Sequence, residues 1–281
     1  MPQQQAIDIF FHIGLGKTAT TYLQYEFFPR LKGIYYIQRT LYRKYQAVIE
    51  RTQQPRYLVS REFDQQLEEE VNKIAAAYPA ARIIIVLRRQ DGWIASQYRR
   101  YVKNGGGLSF TEFFDVHHDT GLWKRADVDF MSKIRYVETR FTQPPLVLFH
   151  EDLTKDPYAF LDTLAAYVGA TYDKNAISLS AVHSSYSEKE LKIIKKYSFL
   201  FSQNRQYSRL RLVRWLQRRS QLLLSYLILY PAKLIPAAWL SPEPLIPPAE
   251  LEAVRDFYAA EWAQCKAYAQ FNNTLLHSQS K

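Results

Sequence analysis

The stretch Ile7-Asp8-Ile9-Phe10-Phe11-His12-Ile13-Gly14-Leu15-Gly16-Lys17-Thr18-Ala19-Thr20-Thr21 decides the fold. Ile7 to Ile13 is a short, mostly apolar run and reads as a buried strand. Gly14-Leu15-Gly16 supplies a turn. From Thr18 a helix is predicted to about Phe28, stopped by Pro29. Strand, glycine turn, Lys-Thr and helix together form a device for holding phosphate. Backbone N–H groups at the turn and helix start point at the anion, the helix dipole favours it, and the lysine adds a mobile charge.

Outward from this segment the chain alternates strand and helix. Ile34 to Ile37 and Tyr57-Leu58-Val59-Ser60 are predicted strands, the second followed by the charged, helix-favouring stretch Glu62 to Ala77. Ile83 to Leu87 is the clearest buried strand. A helix from about Asp91 to Lys103 ends at Gly105-Gly106-Gly107. Leu146 to Phe149 is a further strand, followed by a helix over Pro157 to Val168 and then Gly169. Continuous apolar strands alternating with helices imply an α/β fold, a central parallel sheet flanked by helices on both faces. After Ser184 the strand signal disappears. Glu188 to Phe201, Arg205 to Leu229 and Pro248 to Phe271 read as helices, giving a mostly helical C-terminal third. The reading is one domain over 1–281, with an α/β nucleotide-binding core at 1–184 and a helical extension at 185–281. Pro242 to Pro248 is a linker within it.

The loop does not complete the pattern of an ATP-type phosphate loop, G-x-x-x-x-G-K-[ST]. Gly16-Lys17-Thr18 fits its end, but Phe11 stands where the first glycine belongs. No metal-binding aspartate follows the strand ending at Leu87, which runs into Arg88-Arg89-Gln90.

A different family accounts for more of the chain. Phe11 to Gln24 resembles the 5′-phosphosulfate loop of sulfotransferases that use 3′-phosphoadenosine 5′-phosphosulfate (PAPS), particularly bacterial ones of the H-I-G-x-x-K-T-G-T-T-x-L-Q type. Ala19 departs from it, standing where the family usually has glycine. An alanine there is strained if the loop needs a positive φ. Ile84 to Tyr98 resembles the family's 3′-phosphate motif: a buried strand, an arginine at its C-terminal end (Arg88) and a serine eight residues on, Ser96. The resemblance implies that Gly14, Gly16, Lys17, Thr18, Ala19, Thr20 and Thr21 hold the phosphosulfate. It implies that Arg88 clamps the 3′-phosphate with fixed donors, joined by the Ser96 hydroxyl. Leu58-Val59-Ser60-Arg61-Glu62-Phe63 resembles the strand-then-Ser-x-Glu stretch of bacterial and glycan members, which makes Glu62 the general base. The rival bases are His12 and His150. Lys17 would stabilise charge on the bridging oxygen, so no metal is implied. Release of 3′-phosphoadenosine 5′-phosphate (PAP) and transfer to an acceptor hydroxyl, or secondarily an amine, of a glycan, glycolipid or other acceptor complete the implied reaction. An ATP- or GTP-dependent kinase-like enzyme, and a non-catalytic basic membrane- or nucleic-acid-binding protein, are the alternatives.

Composition sets the outer bounds. Among 281 residues, 47% are apolar, enough for a sizeable core, and the formal charge of +10 suits anionic partners. One cysteine, Cys265, excludes an intramolecular disulfide and a cysteine-rich metal site. The N-terminus lacks the pattern of a signal peptide, and Leu222 to Leu240 is broken by Pro231, Lys233 and Pro236, so a cytoplasmic protein is expected. Six arginines between Arg205 and Arg219 beside the apolar run Leu222 to Leu229 would suit peripheral contact with an anionic membrane. No nucleic-acid partner is expected.

Overall fold

The computed structural model describes residues 7–179, 187–198, 210, 213, 215 and 241–279. Five parallel strands form one sheet in the order β2-β3-β1-β4-β5. They are β1 (Asp8–Gly14), β2 (Tyr35–Ile37), β3 (Arg56–Glu62), β4 (Arg82–Leu87) and β5 (Leu146–Phe149). β1 lies at the centre because its apolar run leaves no edge tolerable to water. Ile9, Phe10, Phe11 and Ile13 are all buried.

The chain forms two compact units. The first comprises Met1–Gln90, Asp127–Val182 and Tyr258–Lys281; the second comprises Asp91–Ala126 and His183–Phe257. The first holds the whole sheet. Phe10, Leu58, Ile84, Val86, Leu146 and Leu148 line one face of it. They pack against Leu23, Phe27 and Phe28 and against Phe160, Leu161 and Leu164 of α9, introduced below. On the other face Phe11 meets Tyr45 edge-on at 5.2 Å and Phe149 meets Trp262 at 4.9 Å. The helices are α1 (Thr20–Tyr22), α2 (Tyr45–Thr52), α3 (Leu67–Ala77), α4 (Gln90–Lys103), α5 (Phe110–Phe113), α6 (Arg125–Val128) and α7 (Phe130–Glu138). They continue with α8 (His150–Lys155), α9 (Pro157–Tyr167), α10 (Glu188–Lys196), α11 (Pro248–Phe257) and α12 (Ala259–Gln279). Gly169, expected just past α9, has φ 62, the left-handed turn that ends a helix without a Cβ penalty.

In the second unit the apolar face of α4 builds a core of its own. Trp93 meets Trp123 at 5.3 Å, and Tyr98 packs on Phe110 and Phe113, each at 5.3 Å. Ser187 and Glu190 form a capping box that starts α10, whose Lys195 donates to the Tyr98 hydroxyl at 2.9 Å.

Several elements depart from the sequence expectation. The helix after the loop begins at Thr20 and widens into a π-turn over Leu23–Phe27 and a 3₁₀ turn over Phe28–Arg30 that contains Pro29. Pro29 has no N–H to give the Tyr25 carbonyl, and the Gln24 and Glu26 carbonyls accept instead from the Tyr36 hydroxyl, at 3.2 Å, and the Arg30 guanidinium. Glu62 ends β3, and the following helix starts only at Leu67. His150 and Asp152 lie in the short helix α8, and Asp156 caps α9 by accepting from Ala159 N at 3.0 Å. The predicted Pro248 to Phe271 helix is two helices. Arg205 to Leu229 lies outside the described residues except Leu210, Val213 and Trp215, which are exposed. Among the described residues no helix is long and apolar enough to cross a membrane.

Candidate active site

Parallel strands present their C-terminal ends at one edge, where ligand sites of open α/β sheets form. At that edge Gly14 of β1 pairs in register with Glu62 of β3 on one side and Val86 of β4 on the other. Successive strand residues alternate faces, so His12 and Gly14, Ser60 and Glu62, and Ile84 and Val86 share one face. Arg88 follows the end of β4. The sheet therefore brings the loop after β1, Glu62 and Arg88 to one edge of the first unit. Ser96 belongs to the second unit, two turns into α4.

The loop is built on two left-handed residues, Lys17 with φ 72 and Ala19 with φ 63. Each costs roughly 1–2 kcal/mol for a residue with a Cβ. Ala19 is thus where the family's glycine would relax the backbone, and the sequence mismatch is a real local strain. Gly14 is not required by space: a Cβ there would lie 3.5 Å from Val86 N and O, an ordinary contact. The Lys17 side chain is exposed at the mouth of the loop, whereas Thr18 is buried. Thr18 Oγ1 donates to Leu15 O at 2.8 Å and lies 3.2 Å from Thr20 Oγ1. This hydroxyl is tied into the loop's own backbone. The first bond of the helix runs from Leu23 N to Ala19 O at 3.1 Å. Helix geometry leaves the N–H groups ahead of it, at Thr20, Thr21 and Tyr22, without intrahelical acceptors. N–H groups at a helix start beside a lysine are the kind of donors that anion sites use.

Glu62 is half-buried, and among the described residues its carboxylate has no hydrogen-bond or ion-pair partner. The two histidines named as rival bases sit differently. His12 is fully buried beneath the loop, with Nδ1 2.8 Å from Ser60 Oγ, and Gln24 Nε2 donates to the same hydroxyl at 3.0 Å. Burial lowers the His12 pKa to about 3, so the ring is neutral at pH 7 and a weak base. His150 opens α8 beside Arg88; burial first, and then the Arg88 charge, lowers its pKa.

Four features of the site carry little or no sequence signal. Lys17 and Ala19 are left-handed, and only the family glycine at position 19 hinted at it. His12, Ser60 and Gln24 form one buried polar layer. Asp64 Oδ1 accepts the Gly16 N–H at 2.8 Å, tying the segment after β3 to the loop. The Gln90 side-chain amide donates to Glu261, whose pKa is raised by burial; this pair braces the turn after Arg88 from α12.

No family model matches the sequence, and no curated protein matches it. Among solved structures it is similar to a sulfotransferase from Alicyclobacillus acidocaldarius at 17% identity and a TM-score of 0.51, over 74% of this chain and 99% of that one. It also aligns with mouse sulfotransferase SULT7A1, a structure complexed with PAP, at 12% identity and a TM-score of 0.46, over 94% of this chain and 88% of that one. The first likeness shows that the chain shares the sulfotransferase fold.

Proposed function

We propose that the chain is a PAPS-dependent sulfotransferase, one catalytic domain over 1–281, acting on a hydroxyl of a glycan or glycolipid. The observation that supports this best is the register of Glu62 with Gly14, which sets a carboxylate beside an anion-holding loop at the edge that also carries Arg88. In this reading the acceptor oxygen attacks the sulfur in line with the bond to the 5′-phosphate. Glu62 takes the hydroxyl proton. The S–O bond to the phosphate breaks, and PAP leaves with the electron pair. Lys17 and the backbone N–H groups of residues 18–21 stabilise the developing charge, as cations and amides do in phosphoryl transfer. Arg88 holds the 3′-phosphate, the group that distinguishes PAPS from ATP; Ser96, which the resemblance also assigns to it, belongs to the second unit. The basic stretch Arg205 to Leu229 would bring the enzyme to an anionic membrane surface from the cytoplasm, where a glycolipid acceptor would be met.

The test is PAP release from PAPS in the presence of hydroxyl-bearing glycans and glycolipids. Glu62→Gln is expected to lower turnover by roughly 100-fold or more, the scale of general base catalysis, with PAP affinity unchanged. Full turnover by Glu62→Gln would refute the base assignment.

A further inference from the structure

We propose that Asp64 is a positioning residue of the loop, holding Lys17 in its left-handed conformation; this rests on the reading of the loop as the donor site. The segment after β3 is stitched to the loop in consecutive steps. Glu62 is in register with Gly14, Phe63 N donates to Gly14 O at 2.8 Å, and Gly16 N donates to Asp64 Oδ1 at 2.8 Å. On the other side of Lys17, Thr18 Oγ1 donates to Leu15 O at 2.8 Å. Two side-chain bonds therefore straddle a lysine at φ 72, a conformation that persists only where its surroundings over-determine it. Release of the Gly16 bond frees the backbone to return to the right-handed or extended regions, turning the Lys17 side chain and the following N–H groups away from a common anion.

The role needs an acceptor at Asp64 and not a charge. A carboxamide keeps the acceptor; a methyl group does not. This separates positioning from proton transfer by a second carboxylate two residues beyond Glu62. The same segment carries both the base and the brace, so the loop and Glu62 move as one body.

The experiment compares Asp64→Asn and Asp64→Ala by amide hydrogen exchange at Gly16 in the nucleotide-free protein, and by calorimetric titration with PAP. Asp64→Asn is expected to keep wild-type protection and PAP affinity. Asp64→Ala is expected to expose the Gly16 amide to exchange and to weaken PAP binding at least tenfold. Asp64→Ser, whose hydroxyl is too short to span the gap, carries the same expectation should the alanine variant fail to fold. Equal damage in Asn and Ala would assign the role to the charge and overturn the proposal, as would unchanged Gly16 exchange in Ala and Ser. Exchange is read without nucleotide, so it stands or falls separately from the donor-site reading, which fails if the wild-type protein binds no PAP.

Discussion

Ala19 takes the loop backbone into the left-handed region. The family pattern asks for glycine, and the backbone at φ 63 and ψ 13 gives the reason. Glycine occupies that region freely, whereas alanine is strained there by more than its entropic advantage in the unfolded chain. Ala19→Gly is therefore expected to stabilise the protein by about 1 kcal/mol, read as a higher urea midpoint with an unchanged slope. His12 makes a second residue-scale prediction. Its folded-state pKa is near 3, against an unfolded value of 6.5. Below pH 6.5 the unfolded chain takes up a proton that the folded protein refuses, so stability falls as pH drops from there towards 3. At 1.36 kcal/mol per unit, cooling of stability between pH 7.5 and 5 through this group amounts to about 2 kcal/mol. His12→Asn, which can still bond Ser60, is expected to flatten that part of the pH–stability curve in urea unfolding. An equally steep curve in the variant would contradict a buried neutral ring.

At the scale of elements, the edge strand β5 shows how the sheet ends. Asn273 of α12 clips its backbone, accepting from Val147 N at 3.4 Å and donating from Nδ2 to Val147 O at 2.8 Å. The amide thus stands in for a neighbouring strand on a ladder that would otherwise be open to another chain. Asn273→Ala is expected to cost about 1–2 kcal/mol, the scale of leaving such groups unpaired, with faster exchange at Val147. An unchanged unfolding midpoint and exchange rate would deny it that role. The strands themselves were legible because doubly covered strands must be continuous apolar runs, as Ile83 to Leu87 is. Their order in the sheet was not legible, because strand periodicity says nothing of which strands pair. The π-turn was not legible, because the donors that meet its carbonyls, Tyr36 and Arg30, are side chains that helical periodicity does not register. Glu62 read equally well as the first residue of a helix until the register with Gly14 fixed it as the last residue of a strand. Asp64 carried no pattern at all; its bond depends on how far β3 runs before the chain turns.

For the whole molecule, chain order is a poor guide to compactness. The sheet-bearing unit draws α12 from the end of the chain, while residues 91–126 join the helical unit. Local periodicity shows what forms a helix and not which core the helix joins. The functional account depends on the first unit's sheet edge, where the loop, Glu62 and Arg88 come together, and on donor selectivity by the 3′-phosphate. The most direct measurement is calorimetric titration of the intact protein with PAP and with ATP, with and without magnesium, repeated on Arg88→Ala. The account predicts tighter binding of PAP than of ATP, no magnesium requirement, and at least a tenfold loss of PAP affinity in Arg88→Ala. Tighter, magnesium-dependent binding of ATP that survives Arg88→Ala would contradict it.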